Sequence, residues 1–165
     1  MIALLRVDNR LVHGQVLVTW VPHLEAKRIV IADDEAAKSP LARAAMTLAL
    51  PPGLEAVIEP LGGVDWKALS ASPSPMLVLL RDIPDLERAG EKGLGPGLVR
   101  TLNLGNVHYT PGRRQITPSV FLSAEELAAL RRLEAQGFSV EARALPQDAA
   151  LPLAEIERRF AAAGC

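Results

Sequence analysis

The sequence predicts an α/β protein: an open, mostly parallel, doubly wound sheet of about seven strands with helices on both faces. Three observations predict it. Short aliphatic runs alternate with helical patterns along all 165 residues. Several of those runs are apolar at nearly every position, as central strands covered on both faces must be. The length suits one domain, residues 1–165, with a sizeable core, and neither an internal repeat nor an obvious linker divides it.

The elements follow in order. Ile2–Val7 (IALLRV) reads as the first strand and Gln15–Val21 as a short helix. Arg28–Ala32 (RIVIA) is the second strand, and Ala36–Leu50 is a longer helix that stops at Pro51-Pro52-Gly53. Leu54–Glu59 and Met76–Leu80 are strands, with short helices at Asp65–Ser70 and Asp85–Ala89. Gly90–Gly97 reads as a surface loop, Val99–Leu104 as a strand, Val107–Pro118 as an irregular excursion and Ser119–Leu122 as another strand. The clearest helix is Ala124–Gln136. Ser123 caps its first turn with Glu126 three residues on, as in a capping box, Leu127, Leu130 and Leu133 recur at helical spacing, and Gly137 closes the end. Phe138–Arg143 is the seventh strand, and a last helix lies within Leu153–Ala163.

Composition narrows the function classes. Hydrophobic residues are 49% and charged residues 22%, so the chain is globular; aromatics are 4%, so aliphatic side chains build the core. A formal net charge of -1 gives no footprint for nucleic acid or an anionic membrane. No apolar run approaches the roughly 20 residues of a membrane span, and MIALLRVDNR has no basic start followed by a long apolar core, so it is no secretory signal. The single cysteine, Cys165, allows no disulfide or thiolate zinc site within one chain. A cytoplasmic protein without a cofactor is expected.

Ligands of an open parallel sheet bind beyond the carboxyl ends of the strands. That rule picks out Asp8–Gly14 (DNRLVHG) after the first strand, Asp33, Asp34 and Glu35 after the second, Arg81 and Asp82 after the fourth, and Asn103, Gly105 and Asn106 on the fifth. The first loop brings a carboxylate, a guanidinium, an imidazole and a glycine within seven residues, and a helix begins near Gln15. An anion on the His13 ring would lie at the positive end of that helix. Arg10 could hold phosphate oxygens bidentately, Gly14 allows close backbone approach, and a neutral imidazole nitrogen is a competent nucleophile. The same cluster is also what a satisfied surface loop looks like, and chemistry alone leaves both readings open.

The run Leu5-Arg6-Val7-Asp8-Asn9-Arg10-Leu11-Val12-His13-Gly14-Gln15-Val16 resembles the signature of mannose/fructose/sorbose-family IIB components of sugar phosphotransferase systems, approximately R-[IV]-D-x-R-L-[IV]-H-G-Q-V, whose histidine is the phosphorylated residue. Trp20 and Val21 fit the T/S-W-V run that commonly follows. Arg28–Lys38 resembles the family's second strand and acidic loop, and Leu102–Gly112, Arg114–Leu122 and Leu133–Pro146 resemble its C-terminal half, so the likeness covers nearly the whole chain.

The resemblance implies a phosphotransferase that accepts phosphoryl from a IIA phosphohistidine onto His13, at Nδ1, and passes it to a sugar delivered by membrane partners IIC and IID. The alternative is a regulatory phospho-acceptor module in an incomplete relay, acting through a regulatory partner. Carried over, His13 is the carrier, Arg10 the phosphate clamp, Asp8 fixes Arg10 or the loop, and Gly14 and Gln15 offer backbone N–H groups. A homodimer is implied, and with no IIA segment before Met1 the donor is expected on a separate chain. Asn9 departs from the Asp common at its position.

Asp33, Asp34, Asn103 and His108 are candidates for a supporting shell, although one Asp of the pair is expected to cap the following helix and His108 reads equally well as a surface residue. His23 reads as a helix-terminal surface residue, and Trp20 and Trp66 as packing residues. Arg113 and Arg114 suit a docking surface or a solvated basic loop. The spacing of His13, His23 and His108 matches no compact metal-ligand pattern, so no metal is expected.

Overall fold

The computed structural model describes residues 1–164; Cys165, on which the disulfide expectation rests, lies outside the described residues. Seven strands form one open sheet in the order β3-β2-β4-β1-β5-β8-β9. They are β1 (Ile2–Asp8), β2 (Arg28–Ala32), β3 (Glu55–Glu59), β4 (Met76–Leu80), β5 (Thr101–Asn106), β8 (Ser139–Ala142) and β9 (Leu151–Pro152). All pairings are parallel except β8 with β9. The remaining strands, β6 (Arg114–Thr117) and β7 (Val120–Leu122), make a separate antiparallel hairpin.

Alternation along the strands sorts the side chains onto two faces. Ile29, Ile31, Leu77 and Leu79 join Leu4 under the first helix, α1 (residues 14–23), represented by Val16, Trp20 and Val21. The same cluster takes Ala36 of α2 (Asp34–Lys38) and, partly buried, Met46 of α3 (Pro40–Leu48). Val30, Val78, Leu80, Leu5 and Val7 face the other way, toward Trp66 of α4 (Trp66–Ala71), Ile83 and Leu86 of α5 (Ile83–Glu91), Leu127 and Leu130 of α6 (Ala124–Ala135) and Ile156 of α7 (Leu153–Ala163). Neighbouring strands β1 and β4 therefore feed helices on opposite faces, which makes the carboxyl end of β1 the switch point where such sheets bind ligands.

Several boundaries differ from expectation, each for a physical reason. The helix expected over Ala36–Leu50 is two helices, because Pro40 excludes the helical conformation at Ser39 (φ -97°, ψ 109°), whose hydroxyl instead caps α3 through the Ala42 amide at 3.1 Å. Ser119–Leu122 does not join the main sheet; it pairs with β6, which lies inside the stretch expected to be irregular. The main sheet still has seven strands because β9, two residues long, stands in for Ser119–Leu122. The capping box at Ser123 and Glu126 is formed, and Gly137 closes α6 with φ 116°.

Candidate functional site

Asp8 is the last residue of β1, and its side chain is fully buried. The chain then turns sharply: the Leu11 amide donates to the Asp8 carbonyl at 2.9 Å, and Leu11 takes φ 56°. A branched residue in that region is strained; burial of the Leu11 side chain against the α1 cluster offsets the strain. The turn brings both Arg10 and His13 back over the Asp8 carboxylate. Oδ1 accepts from the Arg10 amide at 3.0 Å and Arg10 Nε at 3.3 Å; Oδ2 accepts from Arg10 Nη2 at 3.4 Å and lies 2.9 Å from His13 Nε2.

Burial pushes the Asp8 carboxyl up, but hydrogen bonds from His13 and Arg10 and the Arg6 charge outweigh it, and the group sits below its ordinary value. Asp8 is thus an ionised, acceptor-only partner, so Nε2 of His13 is the protonated ring nitrogen. In the neutral ring Nδ1 then carries the lone pair, and it makes no hydrogen bond among the described residues. The His13 side chain is 16% exposed, and Arg10 is 44% exposed with Nη2 also 3.4 Å from Gln15 Oε1.

His13 stands at the start of α1, helical over residues 14–23, with the Leu17 amide bonded to the His13 carbonyl at 3.1 Å. The segment Val16–Trp20 is π-helical and its last turn is Val21–His23. The first amides of a helix lack an intrahelical acceptor. A Cβ added at Gly14 would meet nothing within 4 Å beyond its chain neighbours, so no packing contact confines Gly14 itself. The arrangement places one imidazole and one half-exposed guanidinium together at the start of a helix, the combination of groups that suits an anion.

Beneath the loop lies a polar layer of which sequence reasoning named Asn103 as a candidate but not Arg6, Glu141 or Arg143. Arg6 is fully buried on the α1 face of β1. Its Nη2 reaches Asp8 Oδ2 and the Ala144 carbonyl, both at 3.2 Å; its Nη1 reaches Asn103 Oδ1 at 2.7 Å and the Arg143 carbonyl at 3.1 Å. Arg6 and Arg143 lie 5.1 and 5.3 Å from the Trp20 ring centre, and Trp20 Nε1 donates to the Ala144 carbonyl at 2.9 Å. A charge inside the otherwise apolar run IALLRV is the signal that could have singled out Arg6.

The other candidates are distributed. Asn103 belongs to this layer, bonded to Arg6, to Glu141 Oε1 at 3.1 Å and to the Arg143 carbonyl at 3.2 Å. The Asn9 amide donates to the Asn106 carbonyl at 3.0 Å. With the Asn106 amide oriented to donate to the Ser119 carbonyl, its oxygen accepts from Arg10 Nε at 3.0 Å. Asp33 caps α2 and pairs with Arg81 at 2.8 and 2.9 Å; Asp34 accepts from the Leu61 amide and Arg88. These contacts tie the acidic pair to β4 and α5 rather than to the His13 loop. His108 is exposed, and its carbonyl, not its ring, is bonded, by Arg113 Nη1 at 2.7 Å. Among the described residues no group of three or more His, Cys, Asp and Glu side chains is gathered for a metal, and no helix is long and apolar enough to cross a membrane.

The family model described as PTS system sorbose subfamily IIB component matches residues 2–163. The chain belongs to that family of phosphotransferase-system IIB components. It is 32% identical over 152 residues to the N-acetylgalactosamine-specific phosphotransferase enzyme IIB component 2 of Escherichia coli K12, covering 92% of this chain and 96% of that protein. Against the PTS system mannose-specific EIIAB component of the same organism it is 26% identical over 161 residues, 94% of this chain, and it spans 48%, about half, of that relative's length. Of solved structures, manxB from Thermoanaerobacter tengcongensis superposes with a TM-score of 0.84 at 28% identity, covering 97% of this chain and 96% of that one. The IIBSor domain of the sorbose permease from Klebsiella pneumoniae gives 0.82 at 28% identity, covering 95% and 96%. The open, mostly parallel sheet flanked by helices is the architecture this IIB chain shares with them.

Proposed function

We propose that this chain, as one IIB domain, is a cytoplasmic phosphoryl carrier that takes PO₃ onto Nδ1 of His13 from a IIA phosphohistidine and passes it to a sugar held by membrane partners of the IIC and IID type. The carrying observation is the 2.9 Å contact between His13 Nε2 and the buried, ionised Asp8 carboxylate, which leaves Nδ1 as the free nucleophile. In the transfer, the Nδ1 lone pair attacks phosphorus as the donor's P–N bond breaks and its electron pair returns to the donor ring. Charge spreads over three equatorial oxygens. Arg10, which can swing from Asp8 to the phosphoryl oxygens, and the amides of Gly14 and Gln15 stabilise it. The shared sequence with the mannose-specific EIIAB relative supports a IIA-type donor, since that protein's name joins an A and a B unit.

Incubation with the phosphorylated IIA portion of that relative tests the reading. One acid-labile phosphoryl group on His13 is expected, lost in His13→Ala. Labelling that persists in the folded His13→Ala protein refutes it.

A further inference from the structure

Arg6 takes no direct part in that chemistry. Its guanidinium makes four hydrogen bonds, to Asn103 Oδ1, Asp8 Oδ2 and the carbonyls of Arg143 and Ala144, and lies against the Trp20 ring, while its Nε has no partner. A guanidinium so enclosed cannot follow a ligand. Its charge acts on the one ionised group it touches, Asp8, and it holds Oδ2, the same oxygen that meets His13 Nε2. With Arg6 gone, the buried Asp8 carboxyl keeps only the half-exposed Arg10 as counter-charge, and its tendency to take up a proton rises. A protonated Asp8 could donate to Nε2, the ring proton would then reside on Nδ1, and the nucleophilic lone pair would be lost.

We infer that Arg6 is a positioning residue of the transfer site, acting through Asp8: it keeps that carboxylate charged and aimed, so that His13 carries its proton on Nε2 and presents Nδ1. The inference rests on the carrier reading. When Nδ1 forms its bond to phosphorus, the ring retains the Nε2 proton and becomes cationic, and the Asp8 charge faces that cation directly. The groups facing Asp8 are Arg6 from β1 and Arg10 and His13 from the loop; Arg143 and Glu141, from β8 and just beyond, border Arg6 and Asn103.

The test compares wild type, Arg6→Met, Arg6→Lys and Asn103→Ala by two readouts. One is the His13 ring tautomer, read from ¹⁵N shifts across pH without any phosphoryl donor. The other is single-turnover transfer from the phosphorylated IIA portion of the E. coli mannose-specific EIIAB component. Wild type is expected in the Nε2–H form. Arg6→Met brings in the Nδ1–H form and slows transfer about ten- to a hundred-fold, the loss deepening as pH falls because Asp8 now takes a proton at higher pH. Arg6→Lys restores part of both. A folded Arg6→Met protein with the wild-type tautomer and pH profile overturns the inference, as does a uniform loss of rate with the tautomer unchanged. Should Arg6→Met not fold, Asn103→Ala, which removes the 2.7 Å bond but keeps the charge, must move the tautomer in the same direction; an unmoved tautomer overturns the inference. Because the tautomer needs no phosphoryl, failure of wild type to accept phosphoryl sinks the carrier reading alone.

Discussion

Replacing Gly105 by alanine tests whether the layer beneath His13 is built around Arg6. An added Cβ at Gly105 would lie 1.9 Å from Arg6 Cζ and 2.1 Å from Nη2, well inside contact distance. Gly105 is not among the glycines with positive φ, so the alanine backbone itself is unstrained and the cost falls on the guanidinium. β5 is also irregular here, its register to β1 shifting between Leu104 and Asn106. To admit the methyl group Arg6 must give up one or two charged hydrogen bonds, roughly 1.5–3 kcal/mol each, and the site is overpacked by roughly 1–3 kcal/mol. A loss of about 4 kcal/mol is expected from these two sources, a large share of a typical 5–15 kcal/mol, roughly, for a folded domain. Urea unfolding followed by circular dichroism reads it as a midpoint lowered by about 2 M at a slope of about 2 kcal/mol/M. In an Arg6→Ala background, which removes every clashing guanidinium atom, the double variant should be more stable than additivity gives by at least about 2 kcal/mol. A cost below about 1 kcal/mol, or strictly additive effects, would refute the reasoning.

Further outcomes follow from the same structure. Arg10→Ala should slow phosphoryl transfer about a hundred-fold while moving the urea midpoint little, since Arg10 is 44% exposed; stopped-flow transfer beside an unfolding curve checks both. Burial, with Asp82 adding to it and Arg88 opposing, pushes the Asp85 carboxyl up to about 6. The folded state therefore binds a proton that the unfolded state has released, and stability falls as pH rises from about 4 to about 6; Asp85→Asn should remove that decline in unfolding free energy measured across pH. Asp8 is shifted the other way, so its contribution is present above the ordinary carboxylate value near 4, roughly, and is lost as pH falls through its lower folded value. An Asp8→Asn protein should lack that acid-side loss. Glu126→Ala removes both the capping box of α6 and the partner of the mostly buried Arg113, at a cost of about 3 kcal/mol in the same assay.

The central strands are legible because burial on both faces leaves nearly continuous aliphatic runs, as in Met76–Leu80 and Arg28–Ala32. The α6 boundaries are legible because Ser123, Glu126 and Gly137 satisfy orphan backbone groups by local chemistry. The His13 loop stands out because the carboxyl end of the first strand is where such a sheet binds ligands. What escapes depends on register. Arg6 lies opposite Asn103, and Asn103 opposite Glu141, so three polar residues far apart in sequence form one row across β1, β5 and β8. Asn103 stands out by its place near the end of the fifth strand and Arg6 as a charge in an apolar run, but nothing local to any of the three shows that they meet. β9 escapes for another reason: a two-residue strand ending in proline carries no periodicity. The break at Ser39-Pro40 is written locally, but the Ala-rich pattern on both sides masks it.

The two arginines on Asp8 divide the work by their burial. A phosphoryl carrier must release what it accepts, so the group that meets the phosphoryl cannot also be the permanent partner of the carboxylate that orients the ring. If Arg10 alone balanced Asp8, swinging it onto an incoming phosphoryl would leave a buried carboxylate uncompensated, at a cost of several kcal/mol, roughly. Arg6, fully buried and held by four bonds, stays in place whatever His13 carries. Arg10, nearly half exposed and bonded to Asp8 at 3.3 and 3.4 Å, is free to leave. On the proposed carrier reading, a fixed cation below and an exchangeable one above would let the ring keep one proton position through a cycle in which the anion beside it comes and goes.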